Sequence, residues 1–376
     1  MKPCQHYRHT HPIHRAVSRR QFLHGAAVAA AGLALAGCQA TPAPATPGSG
    51  QATGKNSLVA IAKAESYDRA LVRKQVETML DAIGGLGDVL AHGTRVGIKV
   101  NMTGGTTVKP LPKTTEVDTF VTHPEVVRAL IELLRDAGAK DIFIVEAAYE
   151  PASWVQYGYT EVAKDTGATI VDLTEAAPYK DFVEVPSSDN PFYYDKFKFN
   201  PILTELDAFI SVSKMKCHNV AGVTHSMKNL FGLVPYRFYT LNKGDRYRSA
   251  FHGPATETGR RVPGVIMDLN LARPIDLALI DGIRSAEGGE GPWIQWFGPV
   301  RPGVMFAGKD PVATDAVATA AMGFDPTAEY PNEPFVNGRN HLAMAAKLGI
   351  GTNRLDEIKI VGAKLDDVKM KFKVSY

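Results

Sequence analysis

Apolar segments of strand length recur along this chain, and each of five ends in a charged residue. They are Val96–Val100 running into Lys99 and Asn101, Ile142–Val145 into Glu146, Phe209–Val212 into Lys214, Leu277–Ile280 into Asp281, and Met305–Ala307 into Lys309 and Asp310. Segments with helical spacing lie between them. Ala70–Ile83 repeats apolar residues at Val72, Val76, Met79, Leu80 and Ile83, and Pro124–Ala137 repeats them at Val126, Val127, Leu130, Ile131 and Leu134. Apolar strands separated by helices of this length predict an α/β fold, a mostly parallel sheet flanked by helices with right-handed crossovers. Further strands are predicted at Leu58–Ala62, Thr169–Leu173 and Ile358–Val361, and further helices at Trp154–Thr166, Ser226–Leu233, Gly264–Ala272, Pro311–Met322 and Asn340–Leu348. Phe182–Pro186 and Tyr193–Phe199 alternate apolar and polar residues around a Ser-Ser-Asp-Asn turn, which predicts an inserted β-hairpin. A second, smaller subdomain is compatible with that insertion.

The first 55 residues do not belong to this pattern. Ser18-Arg19-Arg20-Gln21-Phe22-Leu23 is a twin-arginine motif, followed by an Ala/Gly-rich apolar run from Gly25 to Gly37. That run is too short for the roughly 20 residues that span a bilayer, and it suits the apolar part of a signal peptide. It closes on Leu35-Ala36-Gly37-Cys38, which resembles a lipobox, so residues 1–38 are read as a twin-arginine lipoprotein signal with Cys38 as the lipidated residue. The five histidines before residue 25 fall in the part expected to be removed. Residues 39–56, rich in Ala, Thr, Pro and Gly, cannot bury a core and read as a flexible tether. The α/β body is assigned to 57–376. Its expected location is the cell envelope, held to a membrane through Cys38.

The net charge of +3 is concentrated in the leader, whose first 38 residues hold five basic residues and no acidic one. The rest has 37 basic against 39 acidic residues, which gives no electrostatic reason to expect nucleic acid. Cys4, Cys38 and Cys217 form no C-x-x-C pair, so neither a cysteine-ligated iron–sulfur cluster nor a disulfide framework is expected.

Parallel sheets bind ligands beyond the carboxyl ends of their strands. Lys99, Glu146, Lys214, Lys216, His218, Asp281 and Asp310 are therefore expected along one rim. Any one of these charges alone is a strand's ordinary exit to solvent; it is the set that points to a site. Lys214, Lys216 and His218 alternate and so project to one face, with Cys217 turned away as a small core residue. The densest stretch is KMKCHNVAGVTHSMKNLFGLVP, 214–235. Thr224 or Ser226 is placed to cap the helix carrying Lys228 and Asn229, and an exposed helix N-terminus with nearby lysines suits a carboxylate or phosphate. Two imidazoles and the rim acids offer a second chemistry, a divalent metal, although His218 and His225 lack tight ligand spacing. His92, His252 and His341 read as surface or capping residues. The Gly288–Pro292 loop either lines the same cleft or is plain surface.

These motifs carry a resemblance. Ile98-Lys99-Val100-Asn101, His123-Pro124-Glu125-Val126-Val127, Glu146, Lys216-Cys217-His218 through Lys228-Asn229-Leu230-Phe231-Gly232, Ile280-Asp281-Gly282 and Asp310-Pro311-Val312-Ala313-Thr314-Asp315 resemble the domain-of-unknown-function 362 family over about residues 58–325. The resemblance implies a shared α/β body and a polar site around these motifs. Relatives often carry an appended ferredoxin-like domain; this chain has no cysteines for one, so an electron-transfer role is not implied.

Three functions are compatible with this reading. The first is an envelope enzyme acting on a small anionic molecule. Its catalytic residues would be His218 as acid or base with Glu146 or Asp281 as partner, and its ligand-binding residues Lys99, Asn101, Lys214, Lys216, Thr224, Lys228 and Asn229. The second is a lipoprotein that binds a ligand or metal without chemistry. The third is an interaction scaffold.

Overall fold

The computed structural model describes residues 57–374. The twin-arginine motif, Cys38 and the tether lie outside the described residues. The strands are β1 (Ser57–Lys63), β2 (Arg95–Lys99), β3 (Asp141–Glu146), β4 (Thr169–Asp172), β5 (Val183–Pro186), β6 (Lys196–Phe199), β7 (Ala208–His218), β8 (Gly222–Val223), β9 (Leu277–Glu287), β10 (Gly298–Val300), β11 (Val304–Gly308) and β12 (Ile358–Gly362). Ten of them form one mixed sheet in the order β12-β1-β11-β9-β7-β2-β3-β4, with β10 on β9 and β8 on β7. Along that eight-strand path every pairing is parallel except those of β11 with β1 and with β9. The fold is thus α/β and mostly parallel, as expected. Strand β11 is the exception because the stretch between β9 and β11 contains no helix to carry a crossover, so the chain turns back beside the strand it has just left.

Helices cover both faces. One core packs Arg69–Ala82, Pro124–Asp136 and Tyr159–Thr166 on Ile98, Ile144, Ile210 and Val212; the other packs Thr258–Ala272 and Pro311–Ala321 on Val145, Phe209, Ile280 and Phe306. Asp68 caps Arg69–Ala82 by accepting from Leu71 N at 2.9 Å. His123 caps Pro124–Asp136, its Nδ1 accepting from Glu125 N at 3.2 Å ahead of a first-turn proline. The helix predicted over Trp154–Thr166 is two, Ser153–Gln156 and Tyr159–Thr166, split at Gly158, whose φ of +81° no helix interior accommodates. The predicted hairpin is present as β5–β6, paired from Val183↔Phe199 to Pro186↔Lys196. The loop of the hairpin is fastened by Asp268, whose carboxylate accepts from Phe192, Tyr193 and Tyr194 N.

Strand β7 continues past Lys214 to His218, and this extension shapes the site. Its register with β9 shifts between Lys214 and Lys216, from Lys214↔Asp281 to Lys216↔Ala286. A bulge of this kind bends a strand and re-aims its side chains. The chain's last described residues secure the far side. Gly288 N donates to Lys373 O at 2.8 Å, Lys373 N to Glu287 Oε2 at 2.8 Å and Phe372 N to Met322 O at 3.0 Å. Cys217 Sγ meets the same Lys373 carbonyl at 3.2 Å. The thiol is buried, which pushes its pKa up to about 12, in keeping with its reading as a core residue.

Candidate functional site

The rim residues divide into a sealed group and an open one. Lys214 and Lys216 leave β7 on the face of Ile210 and Val212, whereas Lys99 leaves β2 on the face opposite Ile98, so the three do not share a cleft. Lys214 Nζ donates to Asp281 Oδ2 at 2.8 Å, Val117 O at 2.7 Å and Tyr67 Oη at 3.0 Å, with both members of the ion pair fully buried. Asp281 also accepts from Tyr67 Oη at 2.8 Å and His123 N at 3.0 Å. Lys216 Nζ donates to Phe120 O and Glu290 O at 2.8 and 3.0 Å. Lys99 Nζ donates to Val100 O at 2.7 Å, Glu146 Oε2 at 2.8 Å and Asn229 Oδ1 at 3.2 Å. Burial draws Lys99 down to about 8 and raises Glu146, each opposed by the charge of the other. Buried ammonium groups with two or three oxygen acceptors are structural joints, costly to break.

The segment after β7 forms the floor. Its first turn, His225–Lys228, passes into a 3₁₀ turn over Asn229–Leu233. Neither Thr224 nor Ser226 caps it. Asp315, from the helix Pro311–Ala321, accepts from Ser226 N at 2.9 Å and Met227 N at 3.0 Å, and from Ser226 Oγ at 2.5 Å. The protein's own carboxylate therefore fills the helix-terminal anion site expected from the sequence. Burial raises Asp315 to about 7. Thr224 is buried, and among the described residues its Oγ1 has no partner. The Asn229 amide is fully used: Oδ1 accepts from Lys99 and from Asn101 Nδ2, and Nδ2 donates to Lys99 O and Ser211 Oγ. Gly232 lies against the Lys99–Glu146 pair so closely that a Cβ there would run into Glu146 Oε1. This close approach, rather than turn geometry, requires glycine.

Above the floor is a cavity of about 500 Å³. Glu146, Lys228, Asn229 and Phe231 form its base. Asn101 to Gly104, Tyr149, His218, His252, Glu290 and Trp293 form its walls, and Arg246, Tyr247 and Arg248 border it from a further loop. Of the ten sequence-assigned site residues of the body, Asn101, Glu146, His218, Lys228 and Asn229 line the cavity. Lys99 and Lys216 stand directly behind it, while Lys214, Thr224 and Asp281 are sealed elsewhere.

Lys228 is the exception among the buried lysines. It is 9% exposed, it forms no ion pair or hydrogen bond among the described residues, and its Nζ sits 3.7 Å from the centroid of the Phe231 ring. Burial lowers its pKa to about 7; Glu290 opposes this, while Arg248 and Lys99 reinforce it. Arg248 is also buried, held by Nε to Val234 O at 2.8 Å and by a terminal nitrogen to Ala147 O at 3.0 Å, over the Tyr149 ring. Among the described residues it has no carboxylate partner. His218 Nδ1 accepts from Val220 N and Ala221 N, each at 3.2 Å, so the ring proton sits on Nε2. Burial, reinforced by Lys228, holds His218 well below its ordinary pKa. Burial and Lys228 likewise hold His252 down at about 4. The partners expected for His218 are corrected here. Glu146 serves Lys99 and Met102 N, Asp281 serves Lys214, and the carboxylate nearest His218 is Glu290, with Oε2 3.8 Å from Nδ1.

A model of the domain of unknown function DUF362 matches residues 96–320. The chain belongs to this family. The matched span contains every residue that lines the cavity. A thylakoid-associated protein of Synechocystis sp. is 26% identical over 317 residues, 83% of this chain and 88% of that protein. The lactate racemase apoprotein of Thermoanaerobacterium thermosaccharolyticum is a weak structural likeness, with a TM-score of 0.35 and 12% identity over 65% of this chain and 54% of that one.

Several wall residues escaped the sequence reading. His252, expected as a surface or capping residue, is in the cavity wall, and His341, expected likewise, is fully buried with Asn340 capping its helix instead. Arg248 and Tyr149 carried no local signal. The Gly288–Pro292 loop does line the cleft, through Glu290. Asp310 sits at the opposite rim because β11 is reversed; there it accepts from Ala313 N, Ser57 Oγ and Thr352 N. As for a metal, among the described residues no group of three His, Cys, Asp or Glu side chains is placed to hold one. Nor is any helix among them long and apolar enough to cross a membrane.

Proposed function

We propose that the protein is an envelope enzyme acting on a small organic anion, exported by the twin-arginine route and tethered through a lipid on Cys38. The observation that carries the reading is the pair of cations facing one cavity, Lys228 and Arg248, neither matched by a carboxylate within bonding distance among the described residues. Desolvation disfavours such charges and their mutual repulsion adds to the cost; a bound anion relieves both. The aromatic walls, Tyr149, Phe231 and Trp293, suit the carbon skeleton of such a molecule. Arg248, permanently charged, is the anchor for a carboxylate or phosphate. Lys228 exchanges a proton near neutrality and is the catalytic residue. His218 donates from Nε2; with Nδ1 saturated by backbone, it is a positioning donor rather than the general base.

Thermal-shift screening against small carboxylic and phosphoric acids tests this. Stabilisation by acids, weakened in Lys228→Ala by about 1–3 kcal/mol, the range for a charged hydrogen bond, is the expected outcome. Stabilisation by neutral or cationic compounds alone, or identical shifts in wild type and variant, would overturn it. The tether is tested separately: Cys38→Ala should release the protein from membranes, and a variant that still sediments with them after a salt wash removes the anchor assignment.

A further inference from the structure

We infer that the Lys228 amine is a nucleophile that forms an imine with a carbonyl group of the bound anion, so that the substrate class is a small oxo acid. This deepens the anion reading above and rests on it. The argument is a contrast within one protein. Lys99, Lys214 and Lys216 are buried too, and although burial lowers the pKa of all three, that of Lys216 well below the ordinary value, each nitrogen has two or three oxygen acceptors. Lys228 is given none. Its nitrogen has only the face of Phe231 beneath it, and its side chain lines the cavity. A lysine placed to bind anions by charge alone would gain from acceptors that keep the charge in place. Lys228 is desolvated without an oxygen acceptor, and the weak attraction of the Phe231 face is all that favours its ammonium form; an amine so placed gives up its proton readily, and a deprotonated amine has a free lone pair. The lowered pKa of about 7 agrees with this geometry. Arg248, backed by two carbonyl oxygens, supplies a fixed positive charge for the acid group beside Lys228.

The step balances without a further reagent. The lone pair of the neutral amine adds to the carbonyl carbon, forming the N–C bond while the C=O π pair moves to oxygen. The carbinolamine then loses that oxygen as water, which carries away both amine protons, and the nitrogen lone pair closes the C=N bond. Nothing is oxidised or reduced.

The test uses the whole purified chain at pH 7 with pyruvate and, separately, glyoxylate, each trapped with sodium borohydride and read by intact and peptide mass spectrometry. The expected result is one reduced adduct per chain on Lys228. It should form at least about tenfold faster than on any other lysine, since an ordinary lysine is almost wholly protonated at that pH. Lys228→Arg keeps the charge and should lose the adduct while still being stabilised thermally by the acid. Trapping spread over surface lysines, or unchanged in Lys228→Arg, overturns the inference. Thermal stabilisation of wild type with no adduct on Lys228 also overturns it and leaves the anion reading standing; neither stabilisation nor adduct removes both.

Discussion

Lys214 and Lys228 lie 14 positions apart in one segment, and the protein treats them oppositely. Lys214 is locked to Asp281, Tyr67 and a carbonyl in a sealed interior between β7, β9 and the 115–123 segment. Lys228 faces a cavity, and among the described residues no oxygen accepts from its Nζ. The residue type is the same and both are buried, Lys228 slightly less; what differs most is whether the fold brings oxygen atoms to the nitrogen. Charged residues at strand ends therefore sort into joints and reagents, and only three-dimensional partners tell them apart.

The largest effect that probes this difference is on stability. Asp281→Ala leaves an uncompensated buried ammonium and should cost about 3–5 kcal/mol in urea unfolding, whereas Lys228→Met at pH 7 removes an unpaired buried amine and should not destabilise. Equal losses in the two variants would erase the distinction between joint and reagent.

A smaller effect is in the pH dependence. The folded-state pKa of Lys228 is lowered, so between about 7 and its ordinary value the unfolded chain binds more protons than the native one. Native stability should therefore rise with pH across that interval, with the penalty fully present below it. The slope from this one buried group is at most about 1.4 kcal/mol per pH unit. Lys228→Met should remove that contribution, measured as the difference in unfolding free energy between pH 7 and 9. A wild-type slope that the substitution leaves unchanged would place the titration elsewhere.

The smallest expected effect is none at all. His218, buried and with Nδ1 occupied by two backbone donors, should show an Nε2–H tautomer and no titration between pH 5 and 8 in nitrogen-15 NMR. A midpoint in that range would restore it as an acid–base candidate.

Periodicity along the chain disclosed most of the fold. Apolar runs marked β1, β2, β3, β7, β9, β11 and β12, the helical stripes marked the covering helices, and strand alternation put Lys214, Lys216 and His218 on one face. It disclosed less of the site, because alternation says which way a side chain leaves its strand but not what it meets. Asp281 comes to Lys214 from 67 positions away, Glu146 to Lys99 from 47, and Asp315 to Ser226 from 89. Arg248 and His252 lie in and beside a loop with no regular pattern, so nothing local marked them. The reversal of β11 depended on a connection without a helix, a tertiary outcome that left the apolar run itself unchanged.

The strand of backbone around Lys373 gives the molecule an order of assembly in time. Gly288, the first residue of the loop that carries Glu290 and Trp293, is hydrogen-bonded to the Lys373 carbonyl, and the Lys373 amide returns to Glu287. On a ribosome Lys373 is made after every residue that lines the cavity. That wall, held also by Lys216 Nζ and Asn219 N on Glu290, therefore lacks its anchor at Gly288 until translation has passed that point, and a chain stalled or clipped short of it carries the floor, the lysine and the arginine with a wall fastened at one end fewer.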